Sequence, residues 1–99
     1  MPFQTLQAVD ALSFIENERP FVLDVRTPAE FAERHLPGAS NIPVDSIPQN
    51  LDKIPTDKTL VIYCLHGSRS KLAANFLSAR NYPKVYHIEG GFEALRQTM

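Results

Sequence analysis

The fold is decided by residues 59–80, which read TLVIYCLHGSRSKLAANFLSAR. The first five, Thr59 to Tyr63, are mostly apolar and rich in strand-forming side chains, as in a strand buried within a parallel sheet. From Ser68 to Arg80 the apolar residues recur at helical spacing, which predicts an amphipathic helix. Its buried face is predicted to carry Leu72, Ala73, Phe76 and Leu77. A buried strand that passes through a short loop directly into a helix is a repeating unit of α/β folds.

Outward from this unit, strand-like and helix-like segments alternate along the chain. Helices are predicted at 8–18, from Thr27-Pro28 to near His35, and at 92–97. Strands are predicted at 21–25 and 85–88, with an edge strand at 3–6. The long connection at 37–58 is expected to hold one or two helical turns at 47–53. Because alternating strands and helices connect by right-handed crossovers, we predict one α/β domain over residues 1–99, with a central, mostly parallel sheet in a three-layer α/β/α arrangement.

Composition excludes several classes of function. The chain has 99 residues, a formal net charge of −1 and a single cysteine, Cys64. One cysteine cannot form an internal disulfide, a CxxC redox pair or a cysteine-rich zinc site. A near-neutral charge argues against nucleic-acid binding, and no apolar run is long enough to cross a membrane. Residues 1–20 lack the features of a secretory signal, so the cytoplasm is the expected compartment.

The charged residues are unevenly distributed along the chain. The segment 58–88 contains none of the eleven acidic residues but five of the ten Lys and Arg residues. These are Lys58, Arg69, Lys71, Arg80 and Lys84. Such a segment is either a solvated basic face or part of a site for a small anion, and the residues around Cys64 favour the second interpretation.

Polar and reactive residues follow three of the predicted strands. Asp24 and Arg26 close the first strand, Cys64 follows the second, and Glu89-Gly90-Gly91 follow the third. In parallel α/β sheets, ligands bind beyond the carboxyl ends of the strands. These residues are therefore expected to meet at one edge of the sheet.

The loop Cys64-Leu65-His66-Gly67-Ser68-Arg69-Ser70 has the composition of an anion cradle. A loop between a strand and a helix can turn several backbone amides toward one centre, where the positive end of the helix dipole adds to them. Gly67 permits the tight curl, Ser68 or Ser70 can cap the helix, and Arg69 adds a fixed positive charge. Such a site favours the nucleophilic thiolate of Cys64 over a buried, inert cysteine.

The three motifs together resemble those of single-domain rhodaneses. Cys-x-x-Gly-x-Arg-Ser at residues 64–70 is similar to the active loop of that family, and Glu89-Gly90-Gly91-Phe92 to its carboxy-terminal signature. Asp24-Val25-Arg26, Glu30-Phe31 and the stretch HLPGASNIP at 35–43 are similar to its amino-terminal signature. The resemblance covers about residues 3–98. The chain departs from the family at Leu95, near which a tryptophan is common, and this affects packing more than chemistry.

The resemblance implies a sulfurtransferase. Cys64 would take the outer sulfur of thiosulfate or a persulfide as a Cys64 persulfide and pass it to an acceptor such as cyanide or a thiol, including a protein thiol. The loop residues Leu65, His66, Gly67, Ser68, Arg69 and Ser70 would bind the substrate. Asp24 and Arg26 would brace the loop, with direct contact to the substrate left open. No metal or organic cofactor is required.

Several alternatives remain open at this point. The chain could be a rhodanese-like interaction module without activity, or a small cysteine phosphatase or arsenate reductase. Four residues separate Cys64 from Arg69, whereas cysteine phosphatases have five, so the shorter loop favours sulfur. Arg69 could instead pair with a surface acid, and His66 could simply face solvent. A metal site at Cys64, His66 and His35 has no recognised ligand spacing.

Overall fold

The computed structural model describes residues 3–99 and contains one sheet of five parallel strands. The strands are β1 (Gln4–Leu6), β2 (Phe21–Asp24), β3 (Ser40–Asn41), β4 (Leu60–Tyr63) and β5 (Val85–Ile88). Their order across the sheet is β1-β5-β4-β2-β3. The central strand β4 pairs with β2 and β5, so the residue that follows it, Cys64, lies at the middle of the carboxyl edge of the sheet.

Four α-helices connect or follow these strands. They are α1 (Ala8–Glu18), α2 (Pro28–Glu33), α3 (Ser68–Ser78) and α4 (Gly91–Thr98). The connection after β3 contains two 3₁₀ segments, Val44–Gln49 and Leu51–Lys53. The structure confirms the predicted helices, except that α2 ends at Glu33 rather than near His35. The two-residue strand β3 was not predicted, because it is too short to show alternation.

The core lies on both faces of the sheet, since successive side chains of a strand point to opposite sides. Leu60, Ile62 and Cys64 belong to the face covered by α3, whereas Val61 and Tyr63 belong to the face covered by α1 and α4. The predicted α/β class with three layers is therefore confirmed. Among residues 3–99, no helix is both long and apolar enough to cross a membrane.

The buried face of α3 differs from the prediction at Leu72. That side chain is 66% exposed, whereas Ala73 and Leu77 are buried as predicted and Phe76 is partly buried. The residues that α3 buries fully are Ser70, Ala73, Ala74 and Leu77. This set has the helical spacing i, i+3, i+4, i+7, and Leu72 lies on nearly the opposite side of the helix, roughly 150° from the centre of that face. The prediction for Leu72 was wrong because hydrophobicity was given more weight than the small residues that allow α3 to approach the sheet.

Candidate active site

Two backbone amides meet at the sulfur of Cys64. The Gly67 N–H donates to Sγ over 3.1 Å and the Ser70 N–H over 3.2 Å. Ser70 lies in the first turn of α3, where amide groups have no partner within the helix and are free to bind another acceptor. Gly67 reaches its position with φ 115°, a conformation that side chains disfavour. The predicted amide cradle and the predicted role of Gly67 are therefore both present in the geometry.

The opposite side of the loop is held by α4. The Cys64 carbonyl accepts from the Phe92 N–H over 2.7 Å, and the Leu65 carbonyl accepts from the Glu93 N–H over 3.0 Å. Gly91 makes this approach possible, since a Cβ there would lie 2.5 Å from the Cys64 carbonyl oxygen. The carbonyls thus bind to α4, and the later amides of the loop are free to turn toward the sulfur.

Neither serine of the loop caps α3, contrary to the prediction. The N-cap is Gly67, which has no side chain, and Ser68 and Ser70 already lie inside the helix. A capping side chain must precede the first helical residue, and the helix begins at Ser68 itself, as its spacing predicted. The buried Ser70 hydroxyl donates instead to the Gly67 carbonyl over 3.1 Å and lies 2.8 Å from Nδ1 of His87.

Arg69 forms an ion pair that joins the loop to α2. Its guanidinium donates to both carboxylate oxygens of Glu30, over 2.8 and 3.2 Å. Glu30 also completes a capping box with Thr27 at the start of α2. The Arg69 hydrogen bond is the main reason that the pKa of Glu30 falls from 4.5 to about 2, because it stabilises the carboxylate. Arg69 thus makes the acid pair that was the alternative interpretation, and anion binding by Arg69 stays a prediction.

Asp24 and Arg26 form a buried ion pair at the end of β2. The side chains are at most 4% exposed and lie 2.7 Å apart. The Arg26 guanidinium also donates to the Arg34 carbonyl and lies 4.7 Å from the centre of the Phe92 ring. A buried charge pair of this kind needs further partners to be tolerated, and here those partners come from the end of α2 and from α4. The pair therefore braces the elements around the loop.

The remaining loop residues line two cavities. His66, Gly67 and Ser68 border one of about 580 Å³, together with Lys71 and His87. Leu65 borders another of about 380 Å³, on the side of Arg26, Glu30 and Phe92. His66 and Ser68 are exposed, and so is Lys71 at the rim of the first cavity. Cys64 is only 1% exposed and borders neither of these two cavities.

Within residues 3–99, no three His, Cys, Asp or Glu side chains come together as a metal site. His35 instead donates from Nδ1 to the Phe31 carbonyl over 2.8 Å and stacks on the Phe31 ring. The three residues of the hypothetical metal site therefore have separate surroundings.

Two residues that contact the loop, Glu30 and His87, were not predicted to belong to the site. Glu30 was noted only as part of a family motif, and His87 was covered only as a residue of the predicted strand at 85–88. Their partners, Arg69 and Ser70, lie 39 and 17 residues away in the sequence. No local pattern reports such contacts. The only available signal was the presence of a histidine in an otherwise apolar strand.

Comparison with known proteins identifies the family of this chain. A family model described as Rhodanese-like domain matches residues 7–98. A thiosulfate sulfurtransferase GlpE from Tolumonas auensis is 32% identical over 95% of this chain and 89% of its own length. A sulfurtransferase from Allochromatium vinosum is 38% identical over 80% of this chain and 74% of its own. The crystal structure of a rhodanese-related protein from Thermoplasma volcanium superimposes with a TM-score of 0.88 at 28% identity, over 96% of this chain and 92% of that one.

Proposed function

The chain belongs to the rhodanese-like domain family and is a sulfurtransferase, and from this premise we propose that Cys64 carries sulfane sulfur from a small donor to a thiophilic acceptor. The observation that supports this proposal most strongly is the pair of amide donors on the Cys64 sulfur. Hydrogen bonds from fixed backbone dipoles stabilise negative charge on the atom that they face. Before sulfur transfer, the two amides stabilise the Cys64 thiolate. After transfer, backbone amides of the loop donate hydrogen bonds to the persulfide.

The reaction has two half-reactions. The Cys64 thiolate attacks the outer sulfur of thiosulfate, a new S–S bond forms, and sulfite leaves with the electron pair of the bond that breaks. With a persulfide donor, a thiolate leaves instead. An acceptor nucleophile, cyanide or a thiolate, then attacks the outer sulfur of the Cys64 persulfide and regenerates the thiolate. Ping-pong kinetics are expected, and no cofactor takes part.

The surroundings of the loop suit a small anionic donor. Lys71, His66 and one acid, Glu89, border the cavity beside the loop, and the segment 58–88 carries no acidic residue. Positive charge around a narrow site raises the local concentration of anions. Because Cys64 is 1% exposed, its sulfur is easier to reach for a compact donor than for a bulky phosphate ester. Thiosulfate and the end of an extended persulfide are compact in this sense.

The acceptor must come from outside the chain, since Cys64 is its only cysteine and the persulfide has no internal thiol to resolve it. We propose a small thiol, cyanide in the assay, or the thiol of another protein. The cytoplasm, which keeps a lone thiol reduced, remains the predicted compartment.

Two other functions are weighed against this proposal. An interaction module without activity has no need for amide donors aimed at a cysteine, so the cradle speaks against it. A cysteine phosphatase has a wider loop, with five residues between its cysteine and its arginine. Here four residues separate Cys64 from Arg69.

The test uses the full chain and a Cys64→Ser control. After incubation with thiosulfate, the intact protein should gain the mass of one sulfur atom, and added cyanide should remove it as thiocyanate. The Cys64→Ser protein should show neither change. An unmodified, inactive thiol would favour the interaction module, and turnover of phosphate esters without sulfur transfer would favour the phosphatase.

A further inference from the structure

One buried polar group is not used by the chemistry described above. His87 lies on β5 beside the central strand, paired in register with Ile62, and is 1% exposed. Burying a polar ring without partners costs free energy, so its contacts are informative. Nδ1 lies 2.8 Å from the Ser70 hydroxyl. Nε2 is buried and lies 3.5 Å from a carboxylate oxygen of Glu89, without the geometry of a hydrogen bond.

The ring is held in place from two further sides. The Phe3 ring meets it edge-on, with centroids 5.6 Å apart. On the side of the loop, a Cβ added to Gly67 would lie 3.6 Å from Cε1 of His87. The edge contact with Phe3 and the hydrogen bond with Ser70 orient the ring, which also lines the cavity beside the loop.

Ser70 connects this ring to the sulfur. Its N–H donates to Cys64 Sγ, and its hydroxyl donates to the carbonyl of Gly67, whose own N–H is the other donor to Sγ. We infer that His87 is a positioning residue for the sulfur cradle: by binding the Ser70 hydroxyl it fixes the first turn of α3 so that both amides stay aimed at Cys64. This inference rests on the proposed function for its effect on sulfur transfer.

The charges around His87 are consistent with a neutral ring. Burial is the largest influence and lowers the pKa of His87 below its ordinary value of 6.5. Glu89 at the end of β5 opposes this shift, and Lys71 on α3 adds to it. Because the only proton of the Ser70 hydroxyl is donated to the Gly67 carbonyl, the hydroxyl accepts from a proton on Nδ1 of the neutral ring.

The Ser70-His87-Glu89 series is not a hydrolase triad. Ser70 is 0% exposed, and both its N–H and its hydroxyl have partners inside the protein. A serine nucleophile must reach a substrate, and this one cannot. The series therefore acts on the loop and not on a substrate.

The test compares two substitutions of His87. Asn places an amide atom as far from Cβ as Nδ1 and can still bind Ser70, whereas Leu is similar in size and cannot. In His87→Leu we expect the single-turnover rate of sulfur loading from thiosulfate to fall about tenfold, with the KM for thiosulfate changed less. His87→Asn should recover most of the rate. Equal loss in both variants, or no loss in His87→Leu, would overturn the inference.

A second variant covers the case in which His87→Leu does not fold. Ser70→Ala removes the hydroxyl but keeps the N–H that faces the sulfur. It should slow loading about as much as His87→Leu, and the double variant should be no slower than either single one, because the two changes break the same link. Full activity of Ser70→Ala, or additive losses, would contradict the inference.

Alkylation of the only cysteine separates this inference from the proposed function. Iodoacetamide modifies the thiolate and needs no sulfur donor, so the reaction can be followed by mass even if the protein transfers no sulfur. His87→Leu should be alkylated more slowly than the wild type at neutral pH, and His87→Asn should recover most of the rate. If the wild type takes no sulfur, the proposed function fails. If His87→Leu and the wild type are alkylated at the same rate, the positioning role fails.

Discussion

At Gly91 a single hydrogen in place of a side chain determines how closely α4 approaches the loop. A Cβ there would lie 2.5 Å from the Cys64 carbonyl and 2.6 Å from the Leu65 carbonyl, and both neighbours are backbone atoms that cannot rotate away. The φ of Gly91 is also positive, at 63°. The second glycine of the sequence motif is thus explained by contact and by conformation together.

The matched test replaces Gly91 and Gly38 by alanine. Both positions have positive φ, at 63° and 81°, but Gly38 has nothing within 4 Å of an added Cβ. The free energy of unfolding of Gly38→Ala should fall by only roughly 1–2 kcal/mol, which is the cost of a left-handed conformation for a residue with a side chain. Its rate of sulfur loading should stay unchanged. Gly91→Ala should also slow loading at least about tenfold, since its loop must move. Equal rates of sulfur loading in the two variants would show that the contact with α4 does not fix the conformation of the loop.

Arg69 can be tested in the same paired manner. Arg69→Ala removes both the ion pair and the positive charge of Arg69. Glu30→Gln weakens the contact with Arg69 but leaves the positive charge of Arg69 in place. If Arg69 binds the anionic donor, Arg69→Ala should raise the KM for thiosulfate about tenfold and Glu30→Gln should not. Steady-state kinetics of both variants, with unfolding curves as the control, measure this. Parallel effects of the two changes would make Arg69 structural.

At the scale of elements, α2 joins the loop through Glu30. Its carboxylate accepts from Thr27 at the start of α2 and from Arg69 on α3, so one side chain caps a helix and binds a second element. The pKa of Glu30 is lowered to about 2 in the folded protein from an ordinary 4.5. The stability that Glu30 contributes is therefore complete above about pH 4.5 and is lost as the pH falls toward 2.

Acid unfolding measures this contribution. Between pH 7 and 5 the wild type should exceed Glu30→Gln in free energy of unfolding by a constant amount, because Glu30 is ionised in both the folded and the unfolded protein. Below pH 4.5 the difference should shrink and approach its minimum near pH 2. A difference that is independent of pH over this range would show that Glu30 is not paired in solution.

The elements that sequence patterns predicted well are those with local causes. The strand at Leu60–Tyr63 is a short apolar run, and α2 begins with a capping box and a proline at its first turn. The strand at Ser40–Asn41 has no such local signal, because it forms only where β2 offers a partner. The prediction that Leu72 is buried was wrong for a related reason. The sheet packs against small residues of α3, and the helical spacing of apolar residues does not distinguish small side chains from large ones.

At the scale of the whole molecule, the Asp24–Arg26 pair links three elements, β2, α2 and α4. It is buried at the end of β2 and bonds to the carbonyl of Arg34, and it lies beside the Phe92 ring of α4. The supporting role that the motif predicted for the pair stays a prediction. The contacts themselves could not be predicted, because residues distant in sequence supply them.

Removing one member of this pair should destabilise the fold. Arg26→Ala leaves the Asp24 carboxylate buried without its partner, which costs about 3–5 kcal/mol. Urea unfolding should show this loss, and the fraction that remains folded should load sulfur at close to the wild-type rate. A stable Arg26→Ala protein with a raised KM for thiosulfate would instead place Arg26 in contact with the substrate.

The account depends most on what surrounds the sulfur at residue 64, and a crystal structure after reaction with thiosulfate tests it directly. We expect one additional sulfur atom bonded to Cys64 Sγ, with backbone N–H groups of the loop within hydrogen-bond distance of the disulfur group. An unmodified Cys64, or an added sulfur lodged among aliphatic side chains with the amides of Gly67 and Ser70 turned away, would contradict the account.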